Sequence, residues 1–153
     1  MSAIKEKKLL ITPIKNGTSL DHLRPGTALK ILGVLGHFGK ASIAINVESK
    51  KLGLKDLLFI EGKTLSNQEL DKIALIAEGG TLNLINDSIV VKKEKIQYPE
   101  FVSGIMKCLN PNCITNKELL ETKFYITSKK PLKAKCFYCE ARTEEKQIID
   151  AIK

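Results

Sequence analysis

Apolar positions along the chain change their period in a way that lays out its elements. Residues Lys8 to Lys15, Lys-Leu-Leu-Ile-Thr-Pro-Ile-Lys, are apolar and β-branched and predict a strand. Pro13 lacks a backbone donor, which assigns that strand to an edge or a bulge. Asn16-Gly17 is a turn signal, and Thr18-Ser19-Leu20-Asp21-His22 reads as a polar loop. Behind Arg24-Pro25-Gly26, the residues Ala28, Leu32 and Leu35 recur at helical spacing, so Thr27 to Leu35 predicts a short helix weakened by Gly33 and Gly36. Ala41 to Val47 alternates with period two through Ile43, Ile45 and Val47, the pattern of a half-buried strand. In Lys55 to Glu61 the run Leu57-Leu58-Phe59-Ile60 is nearly continuous, which predicts a strand covered on both faces.

The best-marked element begins at Ser66. Glu69 three residues on completes a capping box, Leu65 and Leu70 occupy the staple positions, Ile73, Ala74 and Ala77 continue the apolar face, and Gly79-Gly80 ends it. Thr81 to Ile96 then reads as a strand pair with Asn86-Asp87-Ser88 at the bend. The order β-α-β-β-α-β with a final extra strand predicts an α+β protein whose N-terminal domain is a ferredoxin-like α/β sandwich. Gln97-Tyr98-Pro99-Glu100 breaks the pattern and divides residues 1–100 from residues 101–153. In the second, mostly β part, strands are predicted at Lys123 to Thr127 and Ala134 to Tyr138. Glu144 to Lys153, with Ile148, Ile149 and Ile152, fits a helix or a closing strand equally.

That second part contains the chain's candidate chemistry. All four cysteines fall in it as two pairs, Cys108 with Cys113 and Cys136 with Cys139, a C-x4-C-x22-C-x2-C pattern. Two short-range thiol pairs joined by an intervening hairpin can supply four thiolates to one structural zinc ion. Two disulfides are the competing use, and free thiols a third. Met1 to Lys8 is charged and precedes no apolar core of signal-peptide length, which argues for a reducing, cytoplasmic setting and for the metal. A closed quartet of thiolates leaves no open position for substrate, so a catalytic zinc is not expected. A part of this size also has too small an apolar core to fold on burial alone, which gives a metal staple a thermodynamic role.

Charge and composition narrow the function classes. The formal charge is +8, from 25 basic and 17 acidic side chains, and residues 1–100 and 101–153 each contribute +4, so no basic tail stands out. Four thiolates with one divalent ion would lower the second part's charge further. Aromatics make up 5% of the chain and tryptophan is absent, which leaves little material for a base-stacking surface. No apolar run approaches the ~18 residues of a spanning helix. Among motifs of enzymes, no Walker loop, H-E-x-x-H or Ser/His/Asp order is present. A zinc-ribbon adaptor binding nucleic acid through the net charge remains the alternative on composition alone.

Several stretches share one register with a known family. Asn16-Gly17-Thr18 followed by Asp21-His22, Lys55-Asp56-Leu57, Asn83-x-Ile85, Val90-Val91-x-Lys93, Cys108-x-Asn110-x-Asn112-Cys113-Ile114 and Cys136-x-Tyr138-Cys139-Glu140 resemble the regulatory chains of aspartate carbamoyltransferase. The resemblance implies a non-catalytic chain of pyrimidine biosynthesis with an N-terminal domain that binds ATP or CTP and dimerises, and a zinc domain that docks on a separate catalytic chain. Carried over position by position, the effector residues would be Ile11, Thr12, Ile14, Asp21, His22, Asn83, Ile85, Val90 and Lys93. The chemistry suits them: a carboxylate accepts from ribose hydroxyls and cations face phosphates. The resemblance likewise assigns Asn110, Asn112 and Glu140 to the catalytic-chain interface. Two positions depart from the family. Phe59 stands where a ligand-contacting lysine is expected, which puts base discrimination in doubt, with Lys55 or Lys92 as candidate substitutes. Ala141 stands at a position basic in the best-known members, with Arg142 adjacent.

Overall fold

The computed structural model describes residues 15–36, 38–62 and 64–153. The strand predicted at Lys8 to Lys15 therefore lies outside the described residues except for Lys15, as do Ile11, Thr12 and Ile14. The chain divides into two compact units, one formed by residues up to Leu65 together with Gly79–Ile96, the other by Ser66–Glu78 with Gln97–Lys153.

Among the described residues the first unit is built on a five-stranded antiparallel sheet with strands β1 (Gly17–Leu23), β2 (Ala41–Ser49), β3 (Gly53–Glu61), β4 (Thr81–Asn86) and β5 (Ile89–Lys95). Their spatial order is β2-β3-β1-β4-β5. The first four follow the order of the split β-α-β motif, so the expected ferredoxin-like arrangement is present with β5 added at an edge. One correction concerns residues 18–22, which form central strand β1 instead of a polar loop. From Gly17 to Leu20 the strand is paired on both sides, and Thr18 and Ser19 are buried there despite their polarity. Gly17 opens the strand where a Cβ would lie 2.1 Å from the Ile60 carbonyl oxygen, a close approach available only to glycine.

Two further expectations change on the same sheet. In β3 only Asp56, Leu58 and Ile60 are buried, whereas Leu57 and Phe59 are half-buried. Among the described residues that strand is fully covered on one face only. In β2 the alternation breaks at a bulge between Ala44 and Val47, with Asn46 at φ 59°, and Ile43 and Ile45 are both exposed. The β4–β5 turn matches its sequence signal: Asp87 and Ser88 have φ of 52° and 64°, the left-handed pair that the twist of a two-residue hairpin requires.

Helix α1 (Thr27–Val34) buries Thr27, Ala28 and Ile31 and has no side-chain cap of its own. The buried Asp56 of β3 supplies one from across the fold. Its carboxylate accepts from Gly26 N–H at 2.8 Å, Ala28 N–H at 3.4 Å and Asn46 N–H at 3.1 Å, so one side chain serves both the helix terminus and the β2 bulge.

The second unit carries helix α2 (Asn67–Ile76), whose N-terminus has the expected capping box: Glu69 N–H donates to Ser66 Oγ at 3.2 Å, and Ser66 N–H to Glu69 Oε1 at 3.1 Å. A four-stranded antiparallel sheet follows in the order β6 (Phe101–Ser103), β7 (Lys123–Lys129), β8 (Leu132–Cys136) and β9 (Arg142–Glu144). A one-turn helix α3 (Ile114–Lys117) lies between β6 and β7, and α4 (Glu145–Ala151) ends the unit. The segment undecided between helix and strand is thus helical, with Gln147 returning its side chain to Glu144 N–H at 3.2 Å. Phe137 and Tyr138 lie beyond the end of β8, in the turn before Cys139. Leu75, Val102, Ile105, Met106, Phe124 and Ile148 form one core with the buried Cys108, Cys113 and Cys136.

Asp56→Ala leaves buried N–H donors unpaired at the α1 terminus and the β2 bulge, so it is expected to lower stability by about 2–4 kcal/mol. Asp56→Asn keeps one acceptor and should lose less. Urea unfolding of the metal-loaded chain checks the order.

Candidate metal centre and effector face

The four cysteine sulfurs converge within 4.8 Å of one another. Cys108 Sγ lies 3.6 Å from Cys139 Sγ, and Cys113 Sγ lies 3.7 Å from Cys136 Sγ. A disulfide needs about 2.05 Å, so these are free thiols, each contact joining a residue of one sequence pair to a residue of the other. A tetrahedral metal with ligand bonds of about 2.3 Å places its sulfurs roughly 3.8 Å apart, and the donor set and spacing fit such an ion.

Local hydrogen bonds build each half of the site. In the first, Cys113 N–H donates to Asn110 O at 3.0 Å and Asn112 N–H to Asn110 Oδ1 at 3.0 Å, closing an Asx turn. Asn116 on α3 donates its side-chain amide to Cys108 O at 2.8 Å and Asn110 O at 2.7 Å, locking the loop. Thr115 Oγ1 lies 3.1 Å from Cys113 Sγ. In the second half, Glu140 turns the chain at φ 63°, its N–H donating to Cys136 O at 3.0 Å, and Ala141 N–H points at Cys139 Sγ from 3.4 Å. Asn116 and Thr115 escape sequence reasoning because their role depends on where α3 turns; the only signal is a polar pair two and three residues after the second cysteine.

Burial pushes the Cys108 thiol far above its ordinary range and raises Cys136 as well. Burial also works against the Cys139 thiolate. The Ala141 N–H, the Asn110 side chain and the thiols of Cys108 and Cys113 together outweigh it and bring the pKa down to about 7. Thiols held protonated must give up protons to a metal, so metal affinity falls as pH drops.

The predicted effector residues that are described, Asp21, His22, Asn83, Ile85, Val90 and Lys93, fall on the first unit's sheet. Ser19 of β1 pairs with Phe59 of β3 on one side and Asn83 of β4 on the other, and Asn83 pairs with Lys93 of β5. The result is one cross-strand row, Phe59, Ser19, Asn83, Lys93. Asp21 pairs with Thr81 one step along, and Ile85 with Gly17 and Val90 one step the other way. Asn83 Nδ2 donates to Ser19 Oγ at 3.2 Å, while His22 Nδ1 meets Thr81 Oγ1 at 3.1 Å. Lys55 Nζ lies 2.9 Å from Asp21 Oδ1. Asp21, His22, Asn83 and Ile85 are half-buried, and Val90 and Lys93 exposed. Sequence reasoning missed Ser19 and Thr81, which enter only through strand register. Of the residues assigned to a protein interface, Asn112 and Glu140 are exposed, whereas Asn110 is half-buried and occupied in its turn.

An antiparallel sheet with a polar face, joined in one chain to a small β module closed by four cysteines, defines a two-part protein with a metal-binding domain. Comparison with known proteins specifies it. The family model described as aspartate carbamoyltransferase regulatory chain, allosteric domain, matches residues 9–97, and that described as its metal binding domain matches residues 100–149. The chain is 48% identical over 147 residues to the aspartate carbamoyltransferase regulatory chain of Pyrococcus horikoshii, covering 93% of this chain and 97% of the relative. The regulatory chains of Pyrococcus abyssi, 47% identical with the same coverage, and of Methanococcus maripaludis, 47% identical over 87% of this chain and 91% of the relative, are similar to it as well. The chain belongs to the aspartate carbamoyltransferase regulatory chain family, and its part in the enzyme is regulatory, not catalytic.

Cys136→Ala is expected to lose the metal and melt residues 97–153, because metal-binding free energy in such modules is folding free energy. Metal analysis with circular dichroism on the full chain tests it; a variant that keeps stoichiometric metal and its melting curve refutes the four-ligand site.

Proposed function

We propose that this chain is the allosteric subunit of a cytoplasmic aspartate carbamoyltransferase in pyrimidine biosynthesis. In this reading residues 1–100 bind ATP and CTP and pair with a second copy. Residues 101–153 hold one structural zinc ion and dock on the catalytic chain. The observation that carries the effector reading is the cross-strand row ending in Lys93, with Asp21 beside it on the same sheet. A carboxylate for ribose hydroxyls, an amide at the centre and a cation for phosphates is the donor set a nucleoside triphosphate needs. Zinc is the ion that four thiolates at these separations favour. Exposed Ile43, Ile45, Leu52 and Leu54 near the β2 edge support self-association there.

Phe59 gives the row an aromatic ring where a second cation is expected. ATP and CTP should therefore bind with little discrimination, and Phe59→Lys should increase it. Asp21→Ala and Lys93→Ala are each expected to weaken nucleotide binding about 10- to 100-fold, the cost of one charge-assisted hydrogen bond. Calorimetric titration of the full chain measures this, and unchanged affinity in both variants would move the site elsewhere. Because Asn110 holds the metal loop, Asn112 is the cleaner probe of docking. Asn112→Ala should keep zinc and nucleotide binding, weaken association with the catalytic trimer and reduce the nucleotide response of aspartate carbamoylation. Full assembly with a full response would remove the Cys108–Cys113 loop from the coupling surface.

A further inference from the structure

The two halves of the metal site are built by different means. Cys136 and Cys139 enclose a short turn that backbone groups shape: Cys136 N–H donates to Ala141 O at 2.9 Å and Glu140 N–H to Cys136 O at 3.0 Å. Its anchor to the sheet is also backbone, Phe137 N–H to Lys123 O at 2.8 Å. Cys108 and Cys113 enclose a longer loop, Leu109-Asn110-Pro111-Asn112, with more torsions to fix before both thiols face one point. Pro111 has no N–H to contribute to it. A backbone bond, Cys113 N–H to Asn110 O at 3.0 Å, closes the end of this loop and leaves its start to be held by other means.

What ties the start of the loop to its middle is a side chain from outside it. Asn116 on α3 donates from its amide nitrogen to Cys108 O at 2.8 Å and to Asn110 O at 2.7 Å. Both acceptors are main-chain carbonyls, which cannot donate, so only the NH2 end of the amide fits them. Asn110 O then accepts from Cys113 N–H and from Asn116, which uses both of its lone pairs. Helix α3 begins directly after Cys113, and Asn116 N–H donates to Cys113 O at 2.9 Å, so the anchor is itself held to the second ligand. Asn116 thus joins Cys108, Asn110 and Cys113 in one hydrogen-bonded unit. It does so although it is exposed: an asparagine without a task there would spend its amide on water, and this one spends it on the main chain between two ligands.

We infer that Asn116 is a positioning residue of the metal site: it holds the Cys108–Cys113 loop in its ligating shape and so slows metal release. The inference rests on reading the four cysteines as a zinc site. Without the amide, Cys108 and Cys113 keep their chemistry, but each opening of a metal–sulfur bond frees a longer loop whose entropy works against reclosing. The Cys136–Cys139 turn keeps its backbone bonds and is left as the better-ordered half. Groups that orient ligands in this way are worth about 10- to 100-fold in metal affinity. The neighbouring Thr115 has a different part. Its Oγ1 lies 3.1 Å from Cys113 Sγ, and a metal-bound thiolate has no proton, so there the hydroxyl is the donor. That contact tempers the charge on one sulfur, whereas Asn116 sets the position of two.

The test compares full chains loaded with zinc: wild type, Asn116→Ala, Asn116→Asp, Asn116→Gln, the loop control Asn112→Ala and the core control Ile148→Val. Transfer of zinc to an excess of chelating dye gives the release rate, and competition with a chelator gives the affinity of any variant that loads weakly. Asn116→Ala should release zinc about 10- to 100-fold faster than wild type. Asn116→Asp keeps the shape but turns a carboxylate toward two carbonyls, and should release at least as fast as Asn116→Ala. Asn116→Gln keeps the donor and should fall between wild type and Asn116→Ala, while Asn112→Ala should release at the wild-type rate. Cobalt(II) in place of zinc reads geometry. Its thiolate charge-transfer bands should shift or broaden in Asn116→Ala and stay unchanged in Ile148→Val, which loosens the core without touching the loop. Wild-type release and affinity in both Asn116→Ala and Asn116→Asp overturn the inference. So do unchanged cobalt bands with a release rate no faster than that of Ile148→Val, the behaviour of a merely structural residue. A wild-type chain that takes up neither ion removes the zinc reading itself.

Discussion

The convergence of four thiols on one point is the constraint on which the second unit depends. Cys108, Cys113 and Cys136 are core residues as much as ligands, packed with Phe124, Met106 and Ile148. Free thiols there would be buried polar groups with poor partners. Joined through a metal they become cross-links between the loop before α3 and the end of β8, two segments far apart in sequence. The aromatic turn between Cys136 and Cys139, the Asn110 turn and the β7–β8 hairpin all take their positions from that junction. A unit with so few large apolar side chains gains from the metal what a larger core would otherwise provide.

Asp56 plays the comparable part in the first unit. One carboxylate binds both the α1 terminus, which has no side-chain cap of its own, and the β2 bulge. With the sheet's apolar side committed to Leu20, Leu58, Ile60 and Leu82, its other side is left for polar groups aligned by register. Two surfaces of different chemistry result on the chain. The first unit offers a half-buried row of single polar groups suited to a small anion-bearing ligand. The second offers exposed aromatic rings with Lys123 beside them.

Much of this was legible in the sequence because it rests on local chemistry. The cysteine spacing specified the quartet, Ser66 and Glu69 marked the start of α2, Asp87-Ser88 marked the hairpin, and the alternation of element types gave the fold class. What the sequence could not determine depends on neighbours distant along the chain. Thr18 to His22 is polar, and it becomes a central strand only because β3 and β4 pair with both of its edges. Leu57 and Phe59 look like core, yet one face of their sheet is uncovered. Glu145–Ala151 is short enough to suit a helix or a strand, and packing against β8 and β9 decides for helix. Tyr125, Lys135 and Arg142 are unremarkable in sequence and form one row only through register. Spacing within a few residues is set by covalent geometry and so is written in the chain, whereas adjacency between strands and the burial of a face arise only when the whole sheet closes.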